Sequence, residues 1–275
     1  MTAAPSESEW TIGWRIVASM AVANATGIAL MFYTFSMFLI PIAQELNLSR
    51  GEIGLVQALI ITAAIGAPVI GRMADKFGFR PVFIGAILIF TVIELGLAWA
   101  VDSMAGLAIG IALSGLIGGG ASAVLLTRPI SAHFRQHRGK ALGLVAAGSS
   151  ISSIFVPPIL HQVIADEGWR TGFVALALIA SIIGLPLVLA LLPRSAAVAR
   201  SGPVASGIGA TRPSFLKERD FWLLVGANML ATISISGTIS QLSPMVQDER
   251  LSAQTAAFGL SLFAAGQFAG KLFGG

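Results

Sequence analysis

Gly71-Arg-Met-Ala-Asp75-Lys76-Phe-Gly78-Phe-Arg80 is a short charged stretch between two long apolar runs, residues 53–70 and 82–100. Each run is long enough, as a helix, to cross roughly 30 Å of hydrocarbon. A link of about ten residues between two such runs joins antiparallel neighbours. Gly71 and Gly78 permit a tight turn and close backbone approach where larger residues would crowd. Arg72, Lys76 and Arg80 surround Asp75 with positive charge, which assigns this turn to the cytoplasmic side of a membrane.

The remainder of the chain agrees with that reading. Of 275 residues, 55% are hydrophobic and 11% charged, and the mean hydropathy is +0.84. This balance excludes an ordinary soluble domain and defines an integral membrane protein. Eight apolar runs alternate with polar connections, and they read as helices because a lone strand in lipid leaves its backbone unpaired. The fold class is therefore an all-α membrane protein. A pI near 10.1 raises the question of nucleic acid, but the cations sit in short turns and form no continuous face, so the expected partner is the lipid bilayer. Twelve Lys and Arg residues fall on the side of the opening turn, against Arg50, Arg170 and Arg250 on the other. Residues 1–10 carry Glu7 and Glu9 and no basic residue, unlike a secretory leader, so a cytoplasmic N-terminus in the cell membrane is expected. Without cysteine there are no disulfides or thiolate sites. His133 and His137, with Arg135 and Arg138 beside them, read as a basic turn, and no metal or cofactor is expected.

Gly71, Asp75, Lys76, Gly78 and Arg80 resemble motif A of the major facilitator superfamily in register; Phe79 departs from its usual basic residue. Phe134, Arg138, Ala141, Gly143, Gly148 and Ser149 resemble the monocarboxylate transporter-like branch, which includes relatives of oxalate/formate antiporters, as do Glu9, Gly13 and Trp14 near the N-terminus. The resemblance implies a gating turn and no enzymatic activity. It also implies secondary active transport of a small organic anion by alternating access, with a coupled proton or counter-anion. It divides the chain into a six-helix N-terminal bundle (residues 1–192), a cytoplasmic linker (193–219) and the first two helices of a C-terminal bundle (220–275). An internal repeat has the same sense: Pro41, Leu48 and Ser49 recur as Pro244, Leu251 and Ser252, offset by 203. With one inserted residue, Gly66 and Gly71 then correspond to Gly270 and Gly275. Family members usually have twelve spans, so the chain reads as truncated in its second half. The competing reading is a non-transporting membrane fragment or an assembly partner.

Several residues inside the spans are candidates for chemistry. Lys271 in the eighth run costs roughly 2.5 to 3.5 kcal/mol at membrane depth and must face protein or water. In the monocarboxylate branch that span carries Asp-x-x-x-Arg; here Gln267 and Lys271 occupy the two places, which implies that Lys271 meets a substrate carboxylate. Arg128, followed by Pro129, is read as an interfacial anchor that can also draw anions into the mouth. Asn24, Tyr33, Asn228 and Gln241 are candidate cavity donors, and the same polar groups also serve as helix glue. Glu94 is the candidate proton site, placed in the outer half of its span against a wet interface. Ser49 and Glu52 form a capping-box pattern ahead of the second run. Gly106, Gly110, Ser114, Gly118 and Ser122 give the fourth run a small-residue stripe for close helix packing.

Overall fold

A computed structural model describes residues 9–118, 123–193 and 218–273, and all regular structure among them is helical. The first path through the bundle is bent: α1 (Trp10–Thr26), α2 (Ile28–Thr34) and α3 (Leu39–Glu45), with a break at Gly27. Then follow α4 (Arg50–Ala58) and α5 (Ala63–Phe77), α6 (Phe79–Ala100), α7 (Met104–Gly118) and α8 (Ala123–His133). The long α9 (Arg138–Glu167) leads to α10 (Trp169–Leu178) and α11 (Leu185–Leu191), and the chain continues with α12 (Arg219–Asp248) and α13 (Ala253–Phe273). Among the described residues, five segments are long and apolar enough to cross a membrane: Arg50–Phe77, Phe79–Ala100, Arg138–Glu167, Trp169–Leu191 and Arg219–Ile239. The bent pair Trp10–Thr26 and Ile28–Met37 makes a sixth. Met104–Gly118 is a shorter apolar helix, and α13 carries Gln254, Gln267 and Lys271 along its 21 residues. The linker expected over 193–219 falls mostly on residues 194–217, outside the described residues.

The charged stretch is not the ten-residue link read from the sequence. Helix α5 runs through it to Phe77, Gly78 alone reverses the chain, and α6 starts on the next residue. Gly78 has φ +87° and ψ 158°, a conformation that side chains resist, so a single glycine replaces a loop. Gly168, at φ +87° and ψ 168°, makes the same reversal between α9 and α10. Each glycine is followed by a buried aromatic, Phe79 or Trp169, and then by an arginine. Arg80 donates to Leu189 O at 3.1 Å, near the end of α11. Arg170 donates to Val101 O at 2.7 Å, just beyond the end of α6. The third and sixth spans therefore each supply an arginine that satisfies a carbonyl at the other's far end, where helices leave acceptors unpaired.

The longer repeat is equally visible in the backbone. Asn47 and Arg250, 203 positions apart, are the positive-φ non-glycine residues among those described, at 53° and 60°. Before them, Leu46 N donates to Ile42 O and Glu249 N to Met245 O. After them, Leu48 N donates to Ala43 O and Leu251 N to Val246 O. The Ser49 hydroxyl accepts from Glu52 N at 3.3 Å within a complete capping box, and Ser252 accepts from Thr255 N at 3.2 Å. Arg50 links the two copies through a bidentate pair with Asp248, at 2.8 and 2.5 Å.

Small residues set the helix crossings. A Cβ on Gly148 of α9 would lie 2.2 Å from Ala21 O of α1, and one on Gly66 of α5 would lie 1.8 Å from Leu116 O of α7. These backbones touch because there is no side chain to hold them apart. Phe35, Phe38 and Phe173 are fully buried in the core, with ring centroids 4.5 Å apart between Phe38 and Phe173. Ile61, Ile65 and Val69 of the second span, and Val92 and Trp99 of the third, face outward. Such a surface is a liability in water and ordinary in lipid.

The N-terminus is tied to the turn before α9. Glu9 accepts from the backbone N–H groups of Arg135 (2.9 Å), Gln136 (3.1 Å) and His137 (3.1 Å), while Trp10 packs edge-on against Phe134. These donors, Arg135 N–H first, hold the Glu9 carboxyl at about 2, below its ordinary 4.5. A depressed carboxyl contributes stability above its unfolded value and loses it as pH falls through the folded one. Docking is therefore complete above pH 4.5 and lost toward about pH 2. A spin label at Gln136 is expected to gain mobility across that window, and in Glu9→Gln to be mobile at every pH; a label in Glu9→Gln as immobile as in the parent refutes the tie.

Candidate functional site

Helices α1, α2, α5, α8, α9 and α13 enclose a cavity of about 540 Å³. Its walls are mostly apolar, with Phe32, Ile60 and Leu142 among them, and Asn24, Tyr33, Thr127, Ser149 and Lys271 interrupt that surface. Three residues singled out from the sequence, Asn24, Tyr33 and Lys271, thus come together from helices far apart in the chain. A few polar groups in an apolar hollow is the usual constitution of a small-molecule site.

Lys271 is the cation of this cavity. Its Nζ donates to Ser150 Oγ at 2.9 Å and to Ser149 Oγ at 3.4 Å, bridging α13 to α9. Among the described residues no carboxylate lies within ion-pair distance of it. One turn earlier on the same face, Gln267 Oε1 accepts from the Tyr33 hydroxyl at 2.8 Å. Asn24 lies 8% exposed at the cavity wall, and its amide donates to Val145 O at 3.1 Å, so it joins α1 to α9. Ser150 is not a candidate in the sequence reading, and the adjacent Ser149-Ser150 within an apolar run is the signal that marks it; the contact between Tyr33 and Gln267 has no sequence signal.

Arg128 does not line the cavity. Its Nη1 donates to Gly71 O at 3.0 Å and pairs with Asp75. A Cβ on Gly71 would come 2.9 Å from Nη2 of Arg128, so the first motif glycine leaves room for the guanidinium. Arg128 thereby ties α8 to α5 at the charged turn, and an anion entering the mouth meets a cation already engaged. The pair is partly exposed, at 34% and 47%, so it contributes geometry more than stability.

Glu94 is also placed differently from the sequence reading. It faces no wet interface: its exposure is 0%, Ser114 Oγ donates to Oε1 at 2.6 Å, and Oε2 has no hydrogen-bond partner among the described residues. The cause is its register, one turn from Phe90 and beside Leu97 on the face of α6 that packs against α7. Its partner Ser114 precedes Gly115, which approaches Thr62 and Ile60, and Glu94 itself is not among the residues that line the cavity. Gln241 lines a second pocket of about 320 Å³, near Arg50 and Asp248. The side chain of Asn228 lies outside the described residues.

A bundle of apolar helices long enough to cross a bilayer, with paired single-glycine reversals, a repeated turn and a polar-studded cavity, defines a multi-pass membrane protein. The model of the Major Facilitator Superfamily matches residues 21–275, and the chain belongs to that family. It is similar to the fujikurins efflux protein of Gibberella fujikuroi, 26% identical over 82% of this chain and 48% of the relative. It is also similar to the sialic acid transporter NanX of Escherichia coli, 30% identical over 46% of this chain and 33% of the relative. The gentisate transporter of Corynebacterium glutamicum is 27% identical over 60% of this chain and 38% of its own length. The chain spans half or less of the length of these three relatives.

Proposed function

We propose that the full-length protein is a secondary active transporter of a small organic anion in the monocarboxylate class. Residues 1–192 form one bundle, 193–219 a cytoplasmic linker and 220–275 the opening of a second bundle. The basic turns and the N-terminus face the cytoplasm of a cell-membrane protein, following the positive-inside bias. Transport proceeds by rocking of the two bundles about the cavity, with a proton or counter-anion coupled to it.

Lys271 carries this reading. An ammonium in an apolar cavity, hydrogen-bonded to two hydroxyls and to no carboxylate among the described residues, is chemically suited to receive an anion. Ser150 and Ser149 are positioned to share a carboxylate oxygen with it, and the Tyr33–Gln267 pair offers a second polar contact one turn away. Relatives named for gentisate and sialic acid support a carboxylate cargo, since both compounds carry one. In proteoliposomes the full-length protein is expected to accumulate labelled small monocarboxylates. Excess unlabelled carboxylate should compete, and the matching neutral amides should not. Equal competition by acid and amide, or no flux of any carboxylate, sinks the proposal.

A further inference from the structure

Away from the transport cavity, a groove of about 390 Å³ runs between α5 and α6 and is floored by Ile117 of α7. Met73, Phe77, Pro81, Gly85 and Ile89 line it without one polar side chain. Met73, Phe77 and Ile89 are each about half exposed, at 45%, 57% and 51%. At membrane depth a polar solute would find no hydrogen-bond partner here, whereas an acyl chain needs none. One end of the groove is marked by charge. Lys76 Nζ lies 5.2 Å from the centroid of the Phe77 ring, which lines the groove. Among the described residues it has no carboxylate within ion-pair distance. An apolar slot in the bilayer capped by an exposed ammonium is complementary to one amphiphile, with its tail in the slot and its anionic head at the rim.

We propose that the α5–α6 groove holds an acyl chain of an anionic diacyl phospholipid whose phosphate is met by Lys76. The lipid then packs beside the pair that Asp75 of α5 makes with Arg128 of α8, so membrane composition bears on the seam between α5 and α8.

The full-length protein, stripped of lipid in detergent, is titrated with phosphatidylglycerol or phosphatidylcholine, and bound lipid is counted by native mass spectrometry. Phosphatidylglycerol is expected to bind about fivefold more tightly, the effect of one basic group near an anionic head. Lys76→Gln should bring the two lipids to parity. Gly85→Phe, whose new side chain enters open space and occupies the groove, should lose both, and Ile89→Trp should act in the same direction. Parity of the two lipids in the parent protein overturns the proposal, as does unchanged binding in both groove-filling variants. If another stretch of the polypeptide occupies the groove, Gly85→Phe will lower the unfolding temperature and leave lipid binding unchanged, which also overturns it.

Discussion

Under the proposed function, Lys271→Ala is expected to lower carboxylate uptake by the full-length protein about a hundredfold at limiting substrate, equivalent to about 3 kcal/mol, the usual cost of removing one partner of a buried, hydrogen-bonded charge pair. The unloaded protein should barely register the change. In that state the ammonium is half-buried and, among the described residues, bonded to Ser149 and Ser150, so its removal leaves no orphaned carboxylate there and the unfolding temperature should hold. Lys271→Arg keeps the charge but replaces a compact ammonium with a planar fork, so partial uptake and altered substrate preference are expected. The measurement is initial uptake rate beside thermal unfolding of the same preparations. Wild-type uptake in Lys271→Ala removes Lys271 from the substrate path. Lost uptake with collapsed stability makes it a structural residue instead.

Gly66→Ala should cost on the order of 3 kcal/mol of stability, although it adds one methyl group. The new carbon would sit 1.8 Å from Leu116 O and 2.7 Å from the Leu116 carbonyl carbon. Both belong to backbone, so no side chain can rotate away and α5 and α7 must separate along their crossing. Gly85→Ala is the matched control: nothing lies within 4 Å of its added carbon, and an effect within about 0.5 kcal/mol is expected. Thermal unfolding in detergent compares the two. Equal midpoints would show that the α5–α7 crossing yields without penalty.

Local patterns in the sequence translated well into structure. The Ser49–Glu52 capping box needs only residues three apart, and it forms as read. The repeat offset by 203 is written in side chains, and the backbone repeats it hydrogen bond for hydrogen bond. The site was less legible because its parts meet only through packing. Sequence separation gives no hint that Ser150 meets Lys271, or that Tyr33 meets Gln267. Glu94 was misplaced for a related reason: depth along a span can be counted, but the face presented to a neighbour depends on where α7 crosses. Arg128 was read from its position near a helix end, while its role depends on the space left by Gly71, a glycine 57 residues earlier.

The single-residue reversals at Gly78 and Gly168 leave no slack in the chain. A longer connector would let one rod slide or tilt while its neighbour stood still. Here any axial displacement of α5 is passed on to α6, and any displacement of α9 to α10, within one peptide unit. The spans on either side of each glycine are joined end to end, and the bundle has fewer independent rigid parts than its helices number.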